Sequence, residues 1–302
     1  MMIKNIFLVA ITLIFSYTTY AQQDPLYSQY LSNPVVINPA YTGLTNDFNT
    51  TLSVRKQWNG LDGSPSTANF NTSLSILKNT AGAGMMFISD VIGNQTTTEF
   101  YAMGSYRVRL TTNTTLSFGL QAGVQDFNIN KNKVTPYDKT DNLFQNVNQI
   151  KPEIGSGLIL TSEKFLVGIS VPRMLKPGIT VMGSQENLYT QHFYLMGSYN
   201  FIISDKLVFK PAALIKYVKG APVSVDFNPS LIVNGKVQVG ALARNLNTFG
   251  LFGKALINNK FLIGYTYEIP TRKSVGPQFM TYEVTLGLRI KTTHYHKAAS
   301  LL

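Results

Sequence analysis

Residues 282–291, Tyr282-Glu283-Val284-Thr285-Leu286-Gly287-Leu288-Arg289-Ile290-Lys291, decide how this chain is read. Side chains alternate between the two faces of an extended strand. Tyr282, Val284, Leu286, Leu288 and Ile290 therefore share one face, and Glu283, Thr285, Gly287, Arg289 and Lys291 share the other. The same period of two recurs upstream. Leu116, Phe118, Leu120, Ala122 and Val124 alternate with Ser117, Gly119, Gln121, Gly123 and Gln125. Val237, Val239, Ala241 and Ala243 alternate with Lys236, Gln238, Gly240 and Arg244, with Leu242 the exception; Phe261, Ile263, Tyr265 and Tyr267 repeat the pattern. Each segment has one oily face and one polar or glycine-smooth face.

Followed along the chain, this pattern predicts strands near 48–57, 67–78, 81–90, 96–110, 114–130, 151–161, 165–171, 188–203, 206–217, 223–233, 236–244, 248–257, 260–268 and 279–292. Connections at Asn79-Thr80, Thr111–Asn113, Ser162–Lys164, Ser204-Asp205, Asn234-Gly235 and Asn258-Asn259 are short, and Asn-Gly is a strong hairpin signal. Longer ones lie between them, notably Trp58–Ser66, Lys131–Ile150, Pro172–Asn187 and Ile269–Gln278. Tight turns at one end and long loops at the other characterise outer-membrane barrels, whose strand number is even. A soluble sandwich has no reason to alternate its connections so strictly. The expected fold is all-β, a transmembrane antiparallel β-barrel of about fourteen strands, with twelve or sixteen as the neighbouring counts. An even count places both termini in the periplasm and the long loops outside the cell.

Composition agrees. Aromatic residues reach 12% and charged residues only 14%, against about a quarter charged in soluble proteins. The first apolar run, Ile6 to Phe15, follows Lys4 and ends in Thr19-Tyr20-Ala21, the build of a secretory signal peptide cleaved after Ala21. It is shorter than the roughly 20 residues a spanning helix needs, and no second long apolar run follows. A closed barrel is the other structure a bilayer permits, because its backbone polar groups are all paired internally. The chain has no cysteine, which removes disulfide frameworks, thiol metal sites and lipid attachment at the leader. The expected organisation is 1–21 signal peptide, 22–47 plug-like segment, 48–292 barrel and 293–302 tail.

Residues 22–47 do not alternate. Asp24-Pro25, Asn33-Pro34 and Asn38-Pro39 interrupt any ladder, since proline lacks the N–H a strand donates. Tyr27, Tyr30, Leu31, Val35, Val36, Ile37 and Tyr41 nevertheless make the segment too apolar for a free tail. It is expected to pack into the periplasmic opening.

Two stretches carry a family resemblance. Asp24-Pro25-Leu26-Tyr27-Ser28-Gln29-Tyr30-Leu31, followed by Asn33 and by Asn38-Pro39-Ala40-Tyr41-Thr42-Gly43, resembles the N-terminal hallmark of the PorP/SprF family. Arg55-Lys56-Gln57-Trp58-Asn59-Gly60, then Gly63, Pro65 and Thr67, is similar to that family's R-x-Q-W-x-G…G-x-P-x-T pattern. The resemblance implies an outer-membrane barrel of the type IX secretion system, the apparatus also used for gliding motility. Some members belong to the core machine and connect to its periplasmic ring through a peptidoglycan-binding protein. Others serve one large secreted adhesin with a type B C-terminal sorting domain and are needed for its export and surface retention. The expectation taken forward is the dedicated adhesin partner, with the core component and a passive porin-like channel as alternatives. Lys131–Ile150 and Pro172–Asn187 are the expected contact loops because they are the longest. One departure concerns the C-terminus: barrels commonly end on an aromatic residue read during assembly, whereas Thr292 to Leu302 follow the last strand here. An internal signal ending near Ile290 is expected in its place.

No catalytic, cofactor or metal site is expected. The three histidines are His192, His294 and His296; nothing marks a nucleophile turn around Ser184 or Ser198, and the last two lie in the tail without a carboxylate nearby. Gly82-Ala83-Gly84 lacks the Lys-Ser/Thr of a phosphate loop and reads as strand glycine. Trp58 suits an interfacial aromatic girdle or, from the motif, a contact fixing the first external loop. Phe100-Tyr101-Ala102-Met103-Gly104-Ser105-Tyr106 recurs as Phe193-Tyr194-Leu195-Met196-Gly197-Ser198-Tyr199, in strands expected to run in the same direction. The net charge is +11, with cations scattered and export arguing against nucleic acid; acidic partners or lipid phosphates suit it better. Arg107, Arg109, Lys210, Lys216, Arg244, Lys254 and Arg289 sit on polar faces. A cation at mid-depth on the lipid face costs about 2–4 kcal/mol, so these residues point inward or to a rim. They predict a positive lumen, hydrated or holding Asp24.

Overall fold

Along the last strand, Thr281–Lys291, the apolar residues are the exposed ones: Val284 and Leu286 are 44% and 48% exposed, Glu283 and Thr285 only 2% and 3%. That inversion holds around the whole molecule. Leu52, Phe70, Phe87, Phe118, Leu120 and Val239 face outward, whereas Ser53, Asn69, Ser117, Gln121 and Gln238 are buried. Such an exterior is stable in hydrocarbon, and a closed ladder leaves no backbone edge unpaired there. The structure, a computed structural model, describes residues 28, 30, 33–45, 47–130, 147–175, 178–181, 184–187, 190–272 and 274–291.

The wall runs in chain order through β1 (Asp47–Lys56), β2 (Ser66–Ile76), β3 (Ala81–Ile92), β4 (Gln95–Arg109), β5 (Thr114–Ile129), β6 (Val147–Ser162) and β7 (Phe165–Val171). A small hairpin, β8 (Gly178–Val181) with β9 (Ser184–Asn187), lies within the next connection. The wall resumes with β10 (His192–Tyr199) continuing into β11 (Phe201–Ser204), then β12 (Leu207–Val218), β13 (Ser224–Val233), β14 (Val237–Arg244), β15 (Thr248–Ile257), β16 (Phe261–Pro270) and β17 (Thr281–Lys291). β10 pairs with both β7 and β12, and β1 pairs with β17 from Asp47↔Lys291 to Lys56↔Tyr282. With β10 and β11 counted as one strand, the ring is a closed antiparallel barrel of 14 strands.

The two ends differ, though less strictly than the connection lengths predict. Every turn on one side is short. On the other, β3 and β4 are joined by Gly93-Asn94 alone and β14 and β15 by Asn245–Asn247. Left-handed backbone at Gly93, Asn245 and Leu246 makes those tight reversals possible. Pro172–Asn187 is not a plain loop, since it holds the β8–β9 hairpin. Of Lys131–Ile150, residues 131–146 lie outside the described residues, and β6 already begins at Val147. Leu242, the one break in its strand's alternation, is buried inside the wall.

Ser28, Tyr30 and residues 33–45 lie inside the barrel. They enter beside the start of β1, at the short-turn end, through two 3-10 turns, Pro34–Val36 and Pro39–Tyr41, each opened by a proline that needs no donor there. The segment packs inside as expected but climbs well beyond the opening. Thr42 and Gly43 lie against the low ends of β2 to β4, Asn38 reaches β6 and β7 at mid-height, and Ser28 touches the loop-end residues Arg55, Glu268 and Glu283. Two apolar clusters grip it. Val35 and Val36 pack with Met86, Ile88, Tyr101 and Met103. Tyr30, Ile37, Ala40 and Leu44 pack with Ile159, Leu166, Tyr194, Met196 and Leu214. The repeated sequence has a physical use here: its Tyr-x-Met pair faces inward in β4 and again in β10, one copy in each cluster.

Candidate functional site

The plug's backbone has no ladder, so its carbonyls need other donors when buried. Serines on the inner faces of three wall strands supply them. Ser170 Oγ donates to the Ile37 carbonyl at 2.5 Å, Ser117 Oγ to Ala40 at 2.7 Å and Ser105 Oγ to Thr42 at 2.6 Å. Arg107 donates to the Gly43 carbonyl. In return, the Asn38 amide donates to the wall carbonyls of Leu158 and Ile169 at 3.2 and 3.1 Å, while its oxygen accepts from Ala40 N. The close approach requires bare backbone on the wall. A Cβ on Gly119 would stand 2.0 Å from Ala40 N, and one on Gly82 would stand 2.1 Å from the Thr42 carbonyl oxygen. Gly82-Ala83-Gly84 is thus strand glycine as expected, but its smoothness serves the plug.

Near the loop end the lumen holds a buried ion-pair network. Arg55, penultimate in β1, lies directly opposite Glu283 of β17, and Arg244 of β14 directly opposite Asp226 of β13. Arg55 forks onto Glu268, Nη2 to Oε2 at 2.8 Å, and its Nη1 reaches Glu283 Oε2 at 3.1 Å. Arg244 meets Asp226 at 3.1 Å and Glu268 at 3.2 Å, and Lys216 Nζ lies 3.1 Å from Asp226. Three cations face three carboxylates, so the charge balances locally. Ser28 stands at the centre: its hydroxyl donates to Glu268 and accepts from Arg55 and Arg244 at 3.1 Å each, and its N–H donates to Glu283 at 3.2 Å. Tyr30, two residues on, accepts a hydrogen bond from the Asn228 amide, and burial holds its phenol well above the ordinary value. The expected positive lumen is therefore corrected here. The cations do point inward, but carboxylates on the same faces pair with Lys216 and Arg244 at the loop end and with Arg289 near the short-turn end, so the charge of the lumen is balanced at those places. Arg109 is exposed at the short-turn rim.

A second anchor turns part of the β7–β10 connection into the lumen. Arg173 Nη2 lies 2.6 Å from Glu99 Oε2, the Leu175 N–H donates to Glu153 at 2.8 Å, and Gln121 donates to the Pro172 carbonyl at 2.8 Å. Gly155 leaves room, since a Cβ there would meet the Pro172 oxygen at 2.1 Å. The start of this predicted external contact loop is thus an internal constriction.

The second motif builds the first loop. Gly60 and Gly63 take left-handed backbone. The Gln57 N–H donates to Pro65, Trp58 N–H to Thr281 Oγ1, Asn59 N–H to the Met280 carbonyl, and Gly93 N–H to Gly63. Thr67 Oγ1 donates to buried Asp90 at 2.5 Å. Trp58 therefore fixes the first loop against the start of β17, through its backbone.

Of the predicted motif residues, Ser28, Tyr30, Asn33, Asn38, Pro39, Ala40, Tyr41 and Gly43 lie in the lumen with Arg55, and Asn33 donates to Asn69 of β2 at 3.3 Å. Asp24, Pro25, Tyr27 and Gln29 lie outside the described residues, as do His294 and His296. His192 is buried, its Nδ1 2.7 Å from the Thr190 carbonyl. Among the described residues no group of three His, Asp or Glu converges as metal ligands. Sequence reasoning missed Glu99, Glu153, Asp226, Glu268 and the three serines. The available signal for Asp226 and Glu268 was that each lies on a strand between two that carry inward cations; Glu99 and Glu153 carried no such signal.

The fold and the inverted surface define an outer-membrane β-barrel. Its shape is similar to the CymD monoaromatic hydrocarbon channel (TM-score 0.53, 10% identity, 90% of this chain and 95% of that one) and to the Pseudomonas putida toluene transporter TodX (TM-score 0.51, 8% identity, 92% and 97%). At that identity the likeness is one of fold. No curated protein matches it in sequence. The chain belongs to the family of type IX secretion system membrane proteins PorP/SprF, whose model matches residues 19–288. It is a type IX secretion outer-membrane barrel.

Proposed function

We propose that this barrel works by binding rather than by conduction or turnover, as the partner of a secreted adhesin carrying a type B C-terminal sorting domain. The observation that carries this reading is the occupied lumen. Ser28, Tyr30 and residues 33–45 occupy it from the short-turn end to the loop-end ion network, and Pro172–Leu175 narrow it from the other side. A passage so obstructed suits a closed platform whose exterior connections hold a substrate. Both ends of the wall, Asp47 and Lys291, lie at the short-turn end, which faces the periplasm in barrels of this build. The termini and any contact to a peptidoglycan-binding protein or other secretion component then belong on that side, after cleavage of the leader at Ala21. The reading involves no cofactor and no nucleic acid.

Deleting the gene tests it. Loss of export or surface attachment of one adhesin, with the remaining type IX secretome intact, is the expected result. Loss of every type IX substrate would move the protein to the core machine, and unchanged display of all adhesins would refute the partner role.

A further inference from the structure

The short-turn rim carries a charge pattern that the plug and the ion network do not use. Each of its six hairpin turns holds or adjoins an exposed cation. Lys78 lies between β2 and β3, Arg109 ends β4, and Lys164 lies between β6 and β7. Lys206, Lys236 and Lys260 occupy the next three turns, and Lys291 closes the ring at the end of β17. The exposed carboxylates of these turns are Glu163 and Asp205, each next in chain to a lysine. Seven cations less two carboxylates leave +5 on the rim. At the opposite end, the exposed charges in the described connections are Asp62, Lys219 and Arg272.

We propose that this rim binds the phosphate headgroups of anionic phospholipids. Outward apolar residues adjoin the cations: Leu77, Leu110, Phe201, Ile257 and Ile290 are all exposed. Each cation therefore stands where hydrocarbon gives way to headgroups, and its aliphatic stem lies along the apolar belt while the charge reaches phosphate. Two tilted strand spacings separate successive turns by roughly 12 Å around the ring. That exceeds the screening length of about 8 Å at physiological salt, so the cations act on separate headgroups and do not converge on one compact anion. An acidic protein docked on the mouth would face the same charges without any need for the flanking apolar residues.

The full-length protein is reconstituted in phosphatidylcholine bilayers with spin-labelled phosphatidylglycerol or phosphatidylcholine, and the motionally restricted fraction of each label is measured. Wild type should prefer phosphatidylglycerol by up to about fivefold, the effect of one cation near an anionic surface, and added salt should reduce the preference. Combined K78Q, K236Q, K260Q and K291Q should bring it close to parity, with β-sheet circular dichroism unchanged because all four side chains are exposed. K219Q with R272Q at the other end should leave it intact. Equal association of both lipids with wild type would overturn the proposal, as would a preference that survives the four rim changes or disappears with the two loop-end changes.

Discussion

The Arg55 guanidinium donates to the Ser28 hydroxyl at 3.1 Å. The two residues lie in the two separate sequence stretches that carry the family resemblance, and they meet inside the lumen. The N-terminal hallmark supplies the plug, and the Arg-x-Gln-Trp stretch supplies both the first loop and the cation that receives the plug's far end. Because Arg55 is also held by Glu268 and Glu283, the plug closes a network that already spans β1, β16 and β17.

Replacing Arg55 with methionine leaves Glu268 and Glu283 buried without that partner. Breaking a buried pair in this way costs about 3–5 kcal/mol. Thermal unfolding in detergent should show the loss, with Arg55→Lys losing less because it keeps the charge without the fork. An unchanged midpoint for the methionine variant would contradict the network's role.

Gly119→Ala should dislodge the plug, since the added Cβ would stand 2.0 Å from Ala40 N; Gly253→Ala should be tolerated, its nearest neighbour being 3.9 Å away. Limited proteolysis reads the difference. Residues 28–45 should become cleavable in the first variant and stay protected in the second.

Glu99→Gln should loosen Pro172–Leu175 against the lumen wall, because Arg173 then faces a neutral amide across 2.6 Å while the Gln121 and Glu153 contacts remain. Faster hydrogen exchange confined to that stretch is the expected signature. Exchanging the charges in a Glu99→Arg, Arg173→Glu double variant should restore part of the protection. Additive effects of the two single changes would mean that the pair does not couple.

Burial pushes the Tyr41 phenol from 10.0 up to about 12, with Arg289 acting in the opposite sense. The neutral phenol is therefore the form the docked plug holds. Its contribution is complete below pH 10 and is lost as pH rises through about 12. Protease protection of the plug should fall in that window, and Tyr41→Phe should hold protection to higher pH than wild type. Identical profiles would remove Tyr41 as the cause.

The period of two made the wall legible, because outward residues must be apolar in lipid at every turn of the ring. Tyr282 to Ile290 sufficed to define which face was which. The lumen was harder to read. Alternation marks Glu268 and Asp226 as inward, but the partner of an inward charge depends on register between strands far apart in sequence. The plug's height was also hidden: Pro34 and Pro39 exclude a strand without fixing a path. The inward Met86, Ile88, Tyr101 and Met103 were the overlooked sign. Apolar side chains on the inner face of a barrel need something apolar to cover them, and Val35 and Val36 do so.

The most direct test of the account is the conductance of the purified full-length protein in planar bilayers, compared with a variant lacking residues 28–45. Full-length protein should stay closed, and the shortened barrel should show stable open channels. Steady open-channel conductance from the full-length barrel would contradict a lumen filled by its own N-terminal segment.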